Sequence, residues 1–259
     1  MDPMEQFVEQ VKRNIESLGK DQDMLDLTRI WLRDTLKHGY SYNFKWLGRP
    51  IIQYPQDMVA MQEIIWEVKP DLIIETGIAH GGSLIFSASM LALLDYCDMV
   101  EDGCSLDPRV ISRHVLGIDI DIRSHNRVAI EAHPMSYRID MIQGSSIAPE
   151  VITKVHKIAK AFKKVLVFLD SNHTHDHVLA ELDAYAPLTS KGSYCVVFDT
   201  IIEDLPQGMF IDRPWGPGNN PKTAVHEYLK THREFEIDRS IDNKLLISVA
   251  PNGYLKRVD

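Results

Sequence analysis

The feature that most constrains the fold is an apolar run that ends in an acidic residue and leads into a glycine-rich turn. The run ends at Glu75, glycines follow at Gly77, Gly81 and Gly82, and a helical pattern begins after Ser83. This succession of strand, turn and helix is typical of α/β folds that hold a nucleoside-bearing cofactor. The glycine that follows Gly77 comes four residues later, so the dinucleotide fingerprint G-x-G-x-x-G is absent.

Apolar runs and helical patterns alternate along the rest of the chain. The runs expected to form the main strands are 71–75, 115–121, 139–143, 165–169 and 193–198. Several of them are apolar on both faces, which predicts a mostly parallel sheet covered by helices on both sides. Two later runs, 235–237 and 245–249, predict an antiparallel hairpin at the edge of this sheet. The expected fold class is therefore α/β.

The segment before the sheet is predicted to be a helical extension. Apolar residues recur at helical spacing over 5–38, whereas the aromatic segment 40–55 contains two prolines and no helical period. This aromatic segment is interpreted either as a lid or as a rigid packing strap. Asp57 is expected to cap a helix over 58–68.

The chain is expected to have two parts, an extension over 1–56 and a cofactor-binding domain over 57–259. The apolar surface of the extension would suit a second subunit, so we expect a homo-oligomer. Within the domain, 95–114 is predicted to be an irregular insertion and 201–220 a long loop rich in glycine, proline and asparagine.

Composition excludes several classes of function. The formal net charge is −9 with no basic block, which argues against binding to nucleic acid. No apolar run approaches the roughly 20 residues that a membrane span needs. The acidic N-terminus lacks the apolar region of a signal peptide, and the three cysteines form neither a CxxC pair nor a metal-ligand spacing. We therefore expect reduced thiols in a cytoplasmic protein without a membrane span.

Acidic residues end four of the predicted strands, at Glu75, Asp119, Asp170 and Asp199. Each of them alone would more often be a helix cap or a turn former. In an open α/β sheet, however, ligands bind beyond the carboxyl ends of the strands, and all four would lie on that one rim. A shared polar site is therefore the better interpretation.

Residues at the second and third strand ends suit a nucleoside. Asp119 can accept hydrogen bonds from both ribose hydroxyls, and Asp121 is the alternative one step further into the loop. Ser145 and Ser146, which follow the third strand, are small and polar enough to border an adenine ring.

The fourth and fifth strand ends carry the candidate catalytic groups. His173 follows Asp170 by three residues and could act as a general base, since histidine titrates near neutral pH. Two carboxylates as close as Asp170 and Asp199 would need a proton, a cation or donors between them, and oxygen ligands favour magnesium. His175 and His177 suggest either further metal ligands or ordinary residues at the start of a helix.

The acceptor would bind above this rim. The loop over 202–221 is polar and aromatic, which suits a hydroxyl-rich substrate, although a rigid surface loop is an equal alternative. Arg213, Trp215 and Asn219 from this loop, and Tyr54 from the aromatic segment, are the candidate substrate-binding residues.

Several short motifs, taken in order, resemble one enzyme family over about residues 46–249. They are Trp46-Leu47-Gly48, Ile52 with Tyr54-Pro55 and Asp57, Ile74-Glu75-Thr76-Gly77 with Gly81-Gly82-Ser83, Gly117-Ile118-Asp119-Ile120-Asp121, Leu169-Asp170 with His173, and Gly192-Ser193-Tyr194 ahead of Asp199. Together they resemble the cephalosporin-hydroxylase-like family of S-adenosylmethionine-dependent O-methyltransferases, which includes enzymes that methylate sugar hydroxyls.

The resemblance implies a class I methyltransferase fold with an antiparallel edge hairpin, and it implies roles for individual residues. Glu75, Gly77, Gly81 and Ser83 would line the methionine side of S-adenosylmethionine. Asp119 would take the ribose, Ser145 and Ser146 the adenine, and Asp170 would border the cofactor. Asp170 and Asp199 match magnesium ligands of the family, and His173 matches its catalytic base.

One position departs from the family pattern. Magnesium-dependent members carry two consecutive acids after the fifth strand, where this chain has Phe198 and Asp199. The missing ligand could be replaced by Thr200, by Glu203 or by substrate oxygens, so the resemblance leaves magnesium dependence open.

The expected function is O-methyl transfer from S-adenosylmethionine to a hydroxyl of a sugar or a glycosylated small molecule. Two alternatives remain at this point. One is a nicotinamide-dependent (NAD) oxidoreductase on the same layered fold, although the glycine spacing is wrong for it. The other is a non-catalytic cofactor-binding partner of a biosynthetic oxygenase, although Asp170 and His173 would then have no role.

Overall fold

The N-terminal part of the chain is helical and ends in a small hairpin. A computed structural model describes residues 2–103 and 112–259. The elements of this part are α1 (Pro3–Leu18), α2 (Gln22–Leu36), a 3-10 turn (Tyr40–Asn43), the antiparallel strands β1 (Phe44–Trp46) and β2 (Arg49–Ile51), and α3 (Pro55–Val68). Asp2 and Asp21 accept hydrogen bonds at the starts of α1 and α2. These caps satisfy backbone N–H groups that have no partner within a helix.

Strands and helices then alternate as predicted. They are β3 (Leu72–Thr76), α4 (Gly82–Asp102), β4 (His114–Asp119), α5 (Ser124–Glu131), β5 (Ile139–Gln143), α6 (Pro149–Ala159), β6 (Val165–Leu169), α7 (His175–Tyr185), β7 (Tyr194–Val197) and α8 (Pro221–Tyr228). Strands β5, β4, β3, β6 and β7 are parallel and lie side by side in that order. The predicted parallel sheet is confirmed.

The edge of the sheet differs in part from the prediction. The last elements are β8 (Phe235–Ile237), α9 (Arg239–Leu245) and β9 (Tyr254–Arg257), and β9 pairs antiparallel with both β7 and β8. The expected strand over 245–249 is wrong, because this apolar run follows α9 and packs side chains such as Val249 into the core. A buried irregular segment and a buried strand have the same apolar composition, so the run alone could not distinguish them.

Adjacent residues of each central strand face two different hydrophobic clusters. Ile73 points to a cluster with α3, α4 and the hairpin, whereas Ile74 points to a cluster with α6, α7 and α8. Leu32 of α2 and Ile51 of β2 belong to the first of these clusters. The extension therefore contributes side chains to the same core as the sheet.

The aromatic segment 40–55 is a packing strap rather than an open lid. Tyr54 is buried, and its ring lies 5.7 Å from that of Trp31 and 5.4 Å from that of Tyr40.

The prediction that Asp57 caps the next helix is wrong. This residue lies inside the first turn of α3, where Pro55 is already the first residue, and its carboxylate reaches away from the helix to Ser248, Val249 and Tyr254.

Helix α4 continues beyond its predicted end. The irregular insertion expected over 95–114 is wrong for 95–102, because the buried Asp95 forms ion pairs with Arg113 and Arg138 and so stays inside the fold. Gly103, at φ +67°, ends the helix. The rest of that prediction, over 104–111, lies outside the described residues.

By length and composition α4 is the one described helix that could cross a membrane, and 56% of its most apolar stretch is buried within the fold.

Candidate active site

The turn between β3 and α4 is held closely against two neighbouring segments. A Cβ atom at Gly77, where φ is +89°, would lie 2.0 Å from the carbonyl oxygen of Asp170. A Cβ atom at Gly82 would lie 2.1 Å from the carbonyl oxygen of Pro50 in the strap. Glycine is therefore required at both positions, by space and, at Gly77, also by the backbone angle. The turn forms one wall of a cleft.

Side chains from three other segments fix the shape of this turn. Asp119 accepts hydrogen bonds from the backbone N–H of Ile78 at 2.8 Å and of Ala79 at 3.3 Å. Asn126 donates to the carbonyl oxygen of Ala79 at 2.9 Å, and Arg49 donates to that of His80 at 3.0 Å. The protein's own side chains thus hold the turn in shape. The predicted ribose ligand, Asp119, lies at its base.

Glu75 lies beneath the turn, where it is 2% exposed. It accepts a hydrogen bond from the hydroxyl of Ser83, which lines the cleft. Burial raises the pKa of Glu75 to about 8, although the hydrogen bond from Ser83 acts in the opposite direction and lowers it. Its other oxygen, Oε2, is buried without a hydrogen-bond partner among the described residues. A buried acceptor of this kind suits a cationic group of a ligand.

Beyond the turn, the structure brings together the three residues predicted to carry the chemistry. Ligand atoms of Asp170, His173 and Asp199 lie within 4.8 Å of one another. The imidazole Nε2 of His173 lies 3.2 Å from Oδ2 of Asp199. Asp199 follows β7 in the left-handed region, at φ +55°, which is a strained conformation for a residue with a side chain.

The environment of Asp170 disfavours its charge. Burial, followed by the neighbouring charge of Asp199, raises the pKa of Asp170 well above its usual range. Gln53, from the strap, donates a hydrogen bond to Oδ2 of Asp170 at 3.3 Å. A cation between the two carboxylates would stabilise the ionised form of both.

The donor set suits a divalent cation, with two carboxylates and one imidazole in reach. Phe198 points into the core, where its ring lies 6.0 Å from that of Phe168. Neither protein group suggested as a replacement is turned to the cluster. Thr200 donates to the carbonyl oxygen of Pro251 at 2.8 Å, and Glu203 accepts from the backbone N–H of Gly218 at 2.7 Å. Any further ligand would therefore come from substrate or solvent.

The glycine turn and the cluster of Asp170, His173 and Asp199 line the same cleft, which has a volume of about 660 Å³. Trp215 is part of its wall, and its indole meets the ring of His173 edge to face at 4.8 Å. The guanidinium of Arg213 lies 5.2 Å from the centre of the Trp215 ring. Both loop residues line the cleft, and their contact with an acceptor stays a prediction.

Two other predicted substrate residues lie elsewhere. Tyr54 is buried in the core beside Trp31, and its neighbour Gln53 lines the cleft instead. Asn219 accepts from the backbone N–H of His175 at 2.9 Å and donates to the carbonyl oxygen of Pro214 at 2.9 Å. It therefore shapes the loop rather than facing the cleft. Sequence spacing could not show which way either side chain points.

The expected adenine side is organised by a polar network. Ser146 is buried, and its hydroxyl lies 3.1 Å from Nε2 of His177, which is also 3.2 Å from the hydroxyl of Ser171. Ser171 donates to the buried Glu181 at 2.7 Å. Ser145, one residue before Ser146, is partly exposed at the end of β5. His177 thus contacts the residues beside the expected adenine position.

His175 lies outside the cluster of Asp170, His173 and Asp199. Its imidazole Nδ1 lies 2.8 Å from the hydroxyl of Thr223, so it joins α7 to α8. Sequence reasoning missed several cleft residues, among them Gln53, Arg123 and Ser171. Ser171 directly follows a predicted site residue, so proximity could have suggested it. Neither the spacing of apolar residues nor a motif in the sequence indicated that Gln53 and Arg123 would line the cleft.

The fold and the cleft beyond the strand ends define a class I, Rossmann-like methyltransferase. The chain belongs to the Rhamnosyl O-methyltransferase/CmcI family, whose model matches residues 38–258. The prediction of an O-methyltransferase enzyme of this family is confirmed.

Relatives and solved structures agree with this assignment. The rhamnosyl O-methyltransferase of Mycobacterium tuberculosis H37Rv is 29% identical over 203 residues, which are 78% of this chain and 73% of the relative. That of Mycobacterium leprae is 29% identical over 216 residues, 82% of each chain. A structure of CmcI with Mg and SAM (S-adenosylmethionine) is similar in fold, with a TM-score of 0.53 and 19% identity over 84% of this chain and 78% of that chain.

Proposed function

We propose that this protein transfers the methyl group of S-adenosylmethionine to a hydroxyl of a sugar, with a rhamnosyl group as the first acceptor to test. The observation that carries the proposal is a single cleft with the preformed glycine turn on one wall and Asp170, His173 and Asp199 on another. The rhamnosyl O-methyltransferases of mycobacteria support the choice of acceptor.

The residues of the turn fit the cofactor. Gly77 and Ser83 would border the methionine portion of the cofactor, and Gly81 lies in the turn between them. The Oε2 atom of Glu75, which has no partner among the described residues, would accept a hydrogen bond from the ammonium group of the cofactor. Asp119, already fixed by two backbone N–H groups, has lone pairs left for the ribose hydroxyls. Ser145 and Ser146 would lie beside the adenine. The cofactor supplies a methyl group on a positively charged sulfur.

The protein's own part in the reaction is alignment and removal of a proton. The imidazole of His173 would take the proton of the acceptor hydroxyl, and the Asp199 carboxylate, 3.2 Å from Nε2, would stabilise the imidazolium that forms. The acceptor oxygen then forms a bond to the methyl carbon, and the electron pair of the broken carbon–sulfur bond stays on sulfur. Holding the two reactants in line lowers the barrier further.

Asp170 and Asp199 would hold one magnesium ion, with the acceptor's oxygens completing its ligands. Such an ion would act as a Lewis acid that polarises the acceptor hydroxyl and lowers its pKa. The proposal rests on the separation of the donor atoms and on the raised pKa of Asp170, which a bound cation would reverse.

The loop residues would bind the acceptor. The Trp215 ring provides a flat apolar surface beside His173, suitable for the face of a sugar, and the Arg213 guanidinium extends that surface. We propose these two residues, rather than Tyr54 and Asn219, as the acceptor platform.

We also propose that the protein is a cytoplasmic homo-oligomer. Cys97 and Cys195, the two cysteines in the described part of the chain, form no disulfide, which is compatible with a reducing compartment. The extension over 1–56 exposes large apolar side chains, including Phe7, Leu27 and Ile30, that a second copy could cover. The aromatic strap of this extension lines one side of the cleft. We therefore propose that the chain consists of an extension over 1–56, which covers the cleft, and a cofactor-binding domain over 57–259.

Calorimetry with S-adenosylmethionine is the first experiment. At pH 7 the ammonium group would favour ionised Glu75, so binding should release a proton, and the apparent enthalpy should change with the ionisation enthalpy of the buffer. The Glu75→Gln variant should lose this buffer dependence. Absence of binding at millimolar cofactor would overturn the proposed function.

Mass spectrometry of a simple rhamnoside incubated with the enzyme and the cofactor then tests the acceptor. A gain of one methyl group is expected, and Trp215→Ala should raise KM for the rhamnoside without changing cofactor affinity. Methylation of another sugar but not of the rhamnoside would contradict only the choice of acceptor.

A fluorescence titration with NADH tests the alternative of an oxidoreductase. We expect that NADH does not bind to the protein.

A further inference from the structure

The segment from Gln53 to Asp57, which leads from β2 into α3, contacts Asp170 directly and is connected to Asp199 through one further loop. At its start, the side chain of Gln53 is 3% exposed and donates to Oδ2 of Asp170 at 3.3 Å. Its other amide atom, Oε1, is buried without a partner in the described parts of the chain. A buried amide with one unsatisfied atom lowers stability, so its presence needs an explanation other than packing.

At the other end of the segment, Asp57 is fully buried in the first turn of α3. Its carboxylate accepts three hydrogen bonds, from the hydroxyl of Ser248 at 2.6 Å, the backbone N–H of Val249 at 2.9 Å and the hydroxyl of Tyr254 at 2.7 Å. None of these partners belongs to its own helix. The carboxylate therefore anchors the 248–251 loop, which leads into β9.

The 248–251 loop in turn holds the backbone beside Asp199. The carbonyl oxygen of Val249 accepts from the backbone N–H of Ile201 at 3.1 Å, and that of Pro251 accepts from the hydroxyl of Thr200 at 2.8 Å. Thr200 and Ile201 directly follow Asp199. A chain of hydrogen bonds thus runs from Asp57 through Val249 to the turn that carries a catalytic carboxylate.

That turn needs support from outside. Asp199 has a φ of +55°, and a non-glycine residue keeps this conformation only when the surrounding structure enforces it. Its backbone angle decides where its carboxylate lies relative to His173. A shift in the 248–251 loop would therefore move the Asp199 carboxylate away from its partner.

We propose that Gln53 and Asp57 are positioning residues for methyl transfer, the first for Asp170 and the second, through the 248–251 loop, for Asp199. This rests on the proposed function, because it assigns Asp170 and Asp199 to the reaction. It also gives the strap a role in the chemistry, since its residues hold both acids in the geometry that the acceptor meets.

The variant Asp57→Asn tests the longer connection, with Asp242→Asn as its matched control. Asp242 is also a largely buried carboxylate, and it accepts from the backbone N–H of Asn252 just beyond the 248–251 loop, at 3.0 Å. Both variants should lose stability. Only Asp57→Asn should lower kcat, by about 10- to 100-fold, with the Kd for S-adenosylmethionine within about twofold of wild type.

Amide hydrogen exchange provides a readout that does not need turnover. In Asp57→Asn the peptide over 199–201 should exchange faster than in wild type and in Asp242→Asn. Equal kcat in Asp57→Asn and wild type, or equal exchange over 199–201 in the two variants, would overturn the role of Asp57. If the wild type binds the cofactor but methylates nothing, the proposed function fails, and the exchange result still decides whether Asp57 sets this turn.

The variant Gln53→Leu tests the shorter connection. Leucine has a similar volume and removes the unpartnered Oε1, so the thermal stability should stay unchanged or rise. Loss of the donor to Asp170 should nevertheless lower kcat by about tenfold or more. A variant that is both as stable and as active as wild type would remove Gln53 from the proposal.

Discussion

The imidazole Nε2 of His173 lies 3.2 Å from the Oδ2 atom of Asp199, although the two residues come from different strand ends. This contact holds the imidazole in the cleft, where the ring also meets that of Trp215 edge to face. The pair can take up and stabilise a proton from a bound hydroxyl.

Replacement of His173 should remove the general base. The variant His173→Ala is expected to lower kcat by about 10²- to 10⁴-fold and to leave the affinity for S-adenosylmethionine unchanged. His175→Ala is the matched control, because His175 binds Thr223 and lies outside the cluster. Turnover by His173→Ala equal to that of the control would exclude His173 from the mechanism.

Removal of divalent cations should lower turnover, if Asp170 and Asp199 share an ion as proposed. Activity should fall in chelator and return with added magnesium. Burial and the charge of Asp199 raise the pKa of Asp170, so protons compete with magnesium for this carboxylate, and the apparent affinity for magnesium should increase as the pH rises. Full activity in chelator, measured on protein free of metal, would contradict the magnesium role.

Glu75 should make the stability of the protein depend on pH. Its pKa is raised from 4.5 to about 8, so between these values the folded state retains a proton that the unfolded state has lost. The free energy of unfolding should therefore fall as the pH rises through this window, by about 1.4 kcal/mol per pH unit from this group.

Denaturant titrations of wild type and Glu75→Gln, at several pH values between 5 and about 8, measure this effect. Asp57, with a pKa raised to about 6 mainly by burial, titrates in the same window in both proteins, so the comparison isolates Glu75. Parallel pH profiles for the two proteins would show that Glu75 is ionised in the folded state.

The turn should not tolerate a side chain at Gly77. In Gly77→Ala the new Cβ would meet the carbonyl oxygen of Asp170 at 2.0 Å, at a φ of +89°. We expect loss of cofactor binding and a destabilisation of about 3 kcal/mol or more, because the backbone must shift.

Gly192→Ala separates backbone strain from crowding. Its φ is +78°, and no described atom lies within 4 Å of its added Cβ. It should cost only about 1 kcal/mol and leave activity intact. Equal effects of the two substitutions would show that strain alone, and not contact with Asp170, makes glycine necessary at Gly77.

Much of the fold could be predicted because hydrophobic patterns report on local structure. The strand Val165–Leu169 is apolar throughout, and the sheet buries it on both faces. The same reasoning placed a strand over 245–249, where the chain instead forms a buried irregular segment. It also predicted an irregular insertion from residue 95 onwards, because the local pattern does not show that Arg113 and Arg138 neutralise Asp95.

The candidate site was predictable where a residue's role follows from its position at a strand end. Asp170 and Asp199 meet because β6 and β7 are parallel neighbours, and His173 reaches them from three residues along the chain. Gln53 was not predictable, because it comes from 117 residues before Asp170 and its contact depends on how the strap crosses the sheet.

By itself, the sequence determined the parallel sheet, the glycine turn, the acids of its rim and the family, since each depends on residue types at short spacing. The tertiary structure decided which side chains face the cleft. It turned Tyr54, Phe198 and Thr200 into the core, it used Glu203 and Asn219 to shape a loop, and it made Asp57 an anchor instead of a cap. These outcomes depend on packing between segments far apart in the chain, which no local pattern encodes.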